Sequence, residues 1–294
     1  MKKSIKSFIK SWLLPRGIVE AKEKSSKDRS ERQLLASMPF LQNNLQLKDK
    51  HQGQRCFILC CGPSINTQDL TLLKDEVCIS VSNFYVHKDN EIIRPKYHCV
   101  PDVLIPHANY VTEEYVVNWF QDMDRNINGA SIFLSCNGKD KELVESRKLF
   151  NNRAINYFFT QGDWQDLDNT GIHLTRFIFP AQSVSVIALQ AAIYMGFKDI
   201  YLLGCDHDYL LHMYESRHFY KEKESVLTAQ PDYSEWKESS FGTEIDSHFR
   251  LWQQYRSLLR YTQERQINIW NATNGGLLDV FPRVKYENLF YNEI

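Results

Sequence analysis

The chain of 294 residues has no Cys-x-x-Cys pair, no apolar run of 18 or more residues, and neither standard glycine-rich phosphate fingerprint, G-x-G-x-x-G or G-x-x-x-x-G-K-[ST]. The first absence argues against a zinc site, since structural zinc is held by closely spaced cysteine pairs. The second argues against a helix that crosses a bilayer. The third argues against nicotinamide dinucleotide enzymes and P-loop nucleotidases, whose phosphates rest on those loops. Net charge is nearly absent too, at −1 overall, so the total gives no reason to expect nucleic acid as a partner. Internal repeats and low-complexity tracts are likewise missing.

What the chain has is a core. Residues that are 43% hydrophobic and 13% aromatic suffice for one large or two small folded units. Seven cysteines, an odd number, lie inside or at the ends of apolar runs. That placement predicts buried free thiols in a reducing, cytoplasmic setting. Charge is unevenly spread: the first 32 residues hold ten Lys or Arg against four Asp or Glu, a local +6 that leaves about −7 for the rest. Within them Ile5, Phe8, Ile9, Trp12 and Leu13 share one helical face, ringed by Lys2, Lys3, Lys6 and Lys10 and stopped by Pro15. Such a helix, over residues 1–16, suits peripheral contact with an anionic membrane surface, or packing on its own domain or a partner. No small-residue cleavage site follows, so it does not read as a signal peptide. The reading divides the chain into a basic helix with a charged connector, 1–50, and a globular domain, 51–294.

From residue 50 onward short apolar runs recur at 56–61, 78–82, 97–103, 131–135, 200–203 and 267–270, separated by amphipathic stretches. Runs of that length and spacing predict an α/β fold, a Rossmann-like, mostly parallel sheet flanked by helices. Residues 183–196 predict a helix closed by Gly196. A second helix is predicted over 244–265, with Thr243 and Asp246 in a capping-box pattern.

Small, amide or carboxylate residues follow each run: Gly62 and Ser64, Asn83, Asp102, Asn137, Gly204 and Asp206, then Asn271 and Asn274. In open α/β sheets ligands bind outside the carboxyl ends of the strands. Singly such residues are ordinary loop formers; together they predict a ligand crevice. The stretch "CFILCCGPSI" is the sharpest instance, an apolar run broken by Gly62-Pro63-Ser64, where backbone N–H groups favour an anion. Asp-x-Asp occurs three times, and only Asp206–Asp208 follows a convincing strand. In "DHDYLLHMYESRHFY", 206–220, the histidine spacing is irregular, which favours a substrate-facing loop over a metal centre. His248, expected in the first turn of the 244–265 helix, is a candidate general base, with a plain surface histidine as the alternative.

The segments "CGPSI", "SVSNFY", "SVSVIALQAAIYMGFKDIYLLGCDHDY" and "NATNGGLLDVFPRV" resemble a bacterial superfamily. It contains lipooligosaccharide sialyltransferases, motility accessory factor glycosyltransferases and MptE-like proteins, the last being hydroxymethylpterin diphosphokinases. The resemblance covers roughly residues 55–285. It implies a nucleotide site built from Gly62, Pro63, Ser64, Asn83, Tyr85, Gly204 and Asp206. Following the sialyltransferase pattern, Gly62, Ser64 and Asn83 contact a CMP-sugar, Ser183 and Ser185 lie near its phosphate, and Asn274 lies by the base. The family's catalytic histidine selects His248, and the likeness of "ESRHFY" to a His-Phe element in polysaccharide-cluster enzymes adds His218. The chain departs from the pattern in lacking a Gly-His pair at His248 and in opening its helix with Gln-Ser-Val-Ser.

The function so implied is a metal-independent glycosyltransferase that needs no cofactor. It moves an acidic sugar, sialic acid-like or Kdo-like, from a CMP-sugar donor to a cell-surface glycan acceptor at the inner face of the membrane. The alternatives are an MptE-like pterin diphosphokinase using ATP and Mg²⁺ and a non-catalytic nucleotide-binding assembly protein.

Overall fold

The computed structural model describes residues 29–101, 112–213, 215, 217–220 and 240–291. The chain divides into two compact units, Met1–Gln42 and Asn43–Ile294. Of the first, the described part carries a helix over 29–36; the expected basic helix over 1–16 lies outside the described residues.

The second unit is built on one seven-stranded sheet: β1 (Arg55–Leu59), β2 (Cys78–Val81), β3 (Tyr97–Cys99), β4 (Ser131–Ser135), β5 (Ile155–Phe158), β6 (Asp199–Leu203) and β7 (Asn268–Asn271). Their order is β5-β4-β3-β2-β1-β6-β7, and every pairing is parallel. The Rossmann-like α/β expectation therefore holds. Among the described residues of this unit, four helices longer than a single turn accompany the sheet: α1 (Glu113–Asn126), α2 (Asp140–Arg147), α3 (Val184–Tyr194) and α4 (Phe241–Gln263).

Position in the sheet sets how far each strand is buried. Inner strands are covered on both faces, so β2 is buried at every residue and β1 at all but its first. The two edge strands alternate between buried and half-exposed residues, as in Ile155-Asn156-Tyr157-Phe158. β7 was nevertheless read as the run 267–270, and β5 is the strand the sequence reading lacks. Strand β3 ends at Cys99, short of the expected 103, and Asp102 lies outside the described residues.

Helix α3 is buried around its whole circumference from Ser185 to Tyr194, more than the single apolar face expected of it. It packs across β1, β2 and β3 and against α4. Each fully covered Leu or Ile in such a position contributes about 1.5–3 kcal/mol. Its one amide side chain, Gln190, is fully buried and satisfied at both ends, by the N–H and the carbonyl of Phe179 at 2.7 and 2.9 Å. Gly196 follows the helix with φ +84°, and a Cβ there would come within 3.0 Å of Asp49 Cα. Helix α4 starts earlier than expected. Ser240 caps it, accepting from Thr243 N–H while Thr243 Oγ1 accepts from Ser240 N–H, so the capping box lies three residues upstream of the predicted one.

All seven cysteines are free thiols and six are buried, as the apolar runs require. Adjacent Cys60 and Cys61 face apart: Cys60 Sγ lies 3.7 Å from Cys205 Sγ, and Cys61 Sγ 3.4 Å from the carbonyl of Val81.

Candidate ligand site at the sheet's switch point

Strand order reverses at β1, which pairs with β2 on one side and with β6 on the other. The turns after β1 and β6 therefore emerge side by side at the carboxyl edge, where parallel sheets leave a crevice. They are tied together: Cys60 N–H donates to Leu203 and Gly62 N–H to Gly204, both at 2.9 Å. Side chains complete the clamp. Asp206 accepts from Ser64 N–H at 2.9 Å through one carboxylate oxygen and from Ser64 Oγ through the other. Burial pushes the Asp206 carboxyl up from its ordinary value, and the two bonds from Ser64 oppose that shift.

Glycine at position 62 is a steric requirement. A Cβ there would lie 2.6 Å from Asp206 Cγ, Asp206 Oδ2 and the Gly204 carbonyl oxygen. Gly204, at φ +64°, meets the same limit, since its Cβ would sit 2.8 Å from the carbonyl oxygen of Cys60. Pro63 occupies the first turn of the short 3-10 helix Pro63–Thr67, where its fixed φ starts the helix.

A cavity of about 390 Å³ opens beside this clamp. Gly62, Ser183, Ser185, Gly204, Asp206 and His218, all predicted from sequence, line it. The start of α3 forms one wall. Ser183 caps that helix, accepting from Ser185 N–H, and its hydroxyl lies 2.8 Å from Ser185 Oγ. From there a chain of contacts runs inward, from Ser185 Oγ to Tyr255 OH at 2.6 Å and from Tyr255 OH to His207 Nε2 at 2.8 Å. Beneath it Cys60 donates to Cys205, and this bond together with burial pushes the Cys60 thiol well up.

Two further residues of the cavity wall, Ser82 and His207, hold left-handed backbone, φ +51° and +50°. Such backbone costs a side-chain-bearing residue about 1–3 kcal/mol, and it gathers at functional sites. Tyr209 and Arg217 were not singled out by sequence, whereas Asp208 was marked by the Asp206–Asp208 pair and His207 was among the irregularly spaced histidines of 206–220. The only signal for Tyr209 and Arg217 was their place in the histidine- and tyrosine-rich stretch after β6.

Other predicted residues stand elsewhere. Asn83 is buried and is not in the cavity wall. Its Oδ1 accepts from Trp119 Nε1 at 2.6 Å and its Nδ2 donates to Tyr220 OH at 2.9 Å. Tyr220 in turn stacks on the His218 ring, with centroids 4.9 Å apart and planes 13° apart. Asn83 thus braces the residue behind a cavity histidine. Tyr85 is buried among the residues around Trp119 and α1. Asn274 is exposed and donates to Thr67 Oγ1 at 2.8 Å.

His248 sits about two turns into α4, because the helix starts at Phe241. Its Nδ1 lies 2.8 Å from the Glu244 carbonyl and its Nε2 3.3 Å from that of His207. Its ring packs beside Tyr209 and Trp252 and is outside the cavity wall. Among the described residues no group of three or more His, Cys, Asp or Glu side chains is placed to hold a metal ion.

Fold and cavity together define an α/β protein with a candidate ligand crevice at the point where the strand order reverses. The chain belongs to the MptE-like family: the model of the family described as 6-hydroxymethylpterin diphosphokinase MptE-like matches residues 32–211. Among solved structures it is similar to the MAf glycosyltransferase from Magnetospirillum magneticum AMB-1, at 16% identity and a TM-score of 0.48. That match covers 82% of this chain, which spans 35% of the length of the other. A comparison with curated proteins gives no match.

Proposed function

We propose that this protein is a glycosyltransferase that moves an acidic sugar from a CMP-sugar donor to a surface glycan, without a metal. The observation that carries the reading is the clamp at the switch point. Ser64 and Asp206 hold the Gly62 turn against the Gly204 turn, facing the two serines that open α3 across the cavity. The N-terminus of α3 on this cavity favours the phosphate of a nucleotide. In the transfer the acceptor oxygen bonds to the anomeric carbon, the bond from that carbon to the phosphate oxygen breaks, and CMP departs with the electron pair. The acceptor's proton goes to a histidine, and His218, in the cavity wall, is our assignment for that base. His248, with its Nδ1 on a helix carbonyl and its ring against Tyr209, holds the segment after β6 in place.

The family's description supplies a second reading, diphosphate transfer to a pterin, in which a bound Mg²⁺ would offset the charge of the ATP phosphates. Asp206 and Asp208 are the carboxylates nearest at hand. Both oxygens of Asp206 accept from Ser64, so a metal held there would share that carboxylate with the Gly62 turn. A thermal-shift panel of CMP, UDP, GDP and ATP, followed by turnover of CMP-sugars with and without EDTA, tests the choice. Stabilisation by CMP and turnover in EDTA are expected. Stabilisation by ATP alone, with activity abolished by EDTA, would establish the diphosphokinase; CMP binding without turnover of any CMP-sugar would indicate a binding protein. The basic segment over 1–16 would keep the enzyme at the inner face of the membrane, near a lipid-anchored acceptor.

A further inference from the structure

We infer that Arg217 is the residue that recognises the anionic group of the donor and makes the site select phosphorylated over unphosphorylated nucleosides. The inference rests on the nucleotide reading above and deepens it. Among the described residues of the cavity wall Arg217 is the one lysine or arginine, and it shares the wall with two carboxylates, Asp206 and Asp208. An anion entering such a site needs a permanent positive charge to offset that pair, and a guanidinium is charged at every working pH.

Two contacts aim the side chain. Its Nη2 lies 3.0 Å from Glu244 Oε1, on the first turn of α4, and its guanidinium carbon lies 4.6 Å from the centre of the Tyr209 ring. Glu244 is itself buried and Arg217 is largely covered, so the pair sits away from bulk screening, where a charge-assisted contact is strong. A planar guanidinium stacked on an aromatic face keeps its orientation, which lowers the entropy lost when it binds a ligand. A phosphate in the cavity therefore meets a guanidinium held in advance, with the N-terminus of α3 forming another part of the same wall.

The test is the difference between a nucleotide and its nucleoside, measured by calorimetry on the full chain. Wild type is expected to bind CMP more tightly than cytidine. Arg217→Gln should weaken CMP by about tenfold or more, the size of one charge-assisted pair, and leave cytidine within about twofold. Arg217→Lys, which keeps the charge but not the flat fork, should fall between wild type and Arg217→Gln, and it carries the test if the Gln variant fails to fold. Equal losses for CMP and cytidine, or an unchanged preference for CMP, would overturn the proposal. If wild type binds another nucleotide in preference to CMP, the donor assignment fails, and the same comparison is made with that nucleotide and its nucleoside. If no nucleotide in the panel binds more tightly than its nucleoside, Arg217 has no such role.

Discussion

Replacing Asn83 with alanine separates a bracing role from a ligand contact. The side chain is buried and makes two hydrogen bonds, accepting from Trp119 Nε1 at 2.6 Å and donating to Tyr220 OH at 2.9 Å. Truncation strands a buried indole N–H, at about 1–3 kcal/mol, and takes the donor from a buried hydroxyl, at about 1 kcal/mol more. A total near 3 kcal/mol, in a unit of about 250 residues, should lower Tm by roughly 6–12 °C. Nucleotide affinity should change by no more than a few-fold, since Asn83 is not in the cavity wall. Differential scanning calorimetry and a binding titration on the same sample give both numbers. An unchanged Tm together with a tenfold loss of affinity would refute this account and restore Asn83 as a direct ligand contact.

Four other outcomes follow from the geometry. Gly62→Ala should abolish nucleotide binding and cost about 1–3 kcal/mol in urea unfolding, because the new methyl would overlap Asp206 and Gly204. His98 is buried, with burial pushing its pKa down to about 3, so it folds neutral and charges on unfolding. Its contribution is intact above pH 6.5 and is lost as pH falls toward 3; between pH 6.5 and 4.5 wild type should lose about 2–3 kcal/mol more than His98→Gln does. In the proposed transferase, His218→Ala should lower turnover by about 10² or more with CMP affinity nearly kept, and a larger loss in His248→Ala at an unchanged Tm would move the base assignment to His248. Deleting residues 1–16 should leave the cooperative melt in place and reduce binding to anionic vesicles; a lost melt would show that the segment belongs to the fold.

The inner strands were legible because burial on both faces leaves unbroken apolar runs such as Phe57-Ile58-Leu59, a signal that composition alone carries. Edge strand β5, Ile155-Asn156-Tyr157-Phe158, was not read, although 267–270 with the same Ile-Asn opening was; its Asn156 is buried. The edge was legible for a related reason: residues at parallel strand ends share one edge, so Gly62, Ser64, Gly204 and Asp206 were expected there, and the adjacency of β1 and β6 brings them into contact. What lies around them depends on side chains brought from far away. Asn83 is turned from the cavity by Trp119, on a helix beyond β3. Arg217 is aimed by Glu244, and that helix begins three residues earlier than Thr243 and Asp246 indicated. Contacts of this kind have no local pattern to announce them.

The strand order has a consequence for the chain while it is being made. β1 finds its first neighbour, β2, about twenty residues downstream, but its second, β6, only about 140 residues later. At about 5–20 residues per second on the ribosome, that interval is roughly 10–30 s. Until β6 arrives, one row of N–H and C=O groups on β1 is open to pairing with another nascent chain, and Ser64 has no Asp206 to close on. A product that stops before residue 199 keeps the Gly-Pro-Ser turn and five of the seven strands, yet lacks Gly204 and Asp206, the other side of the clamp. The cavity wall is therefore complete only after synthesis has passed the sixth strand.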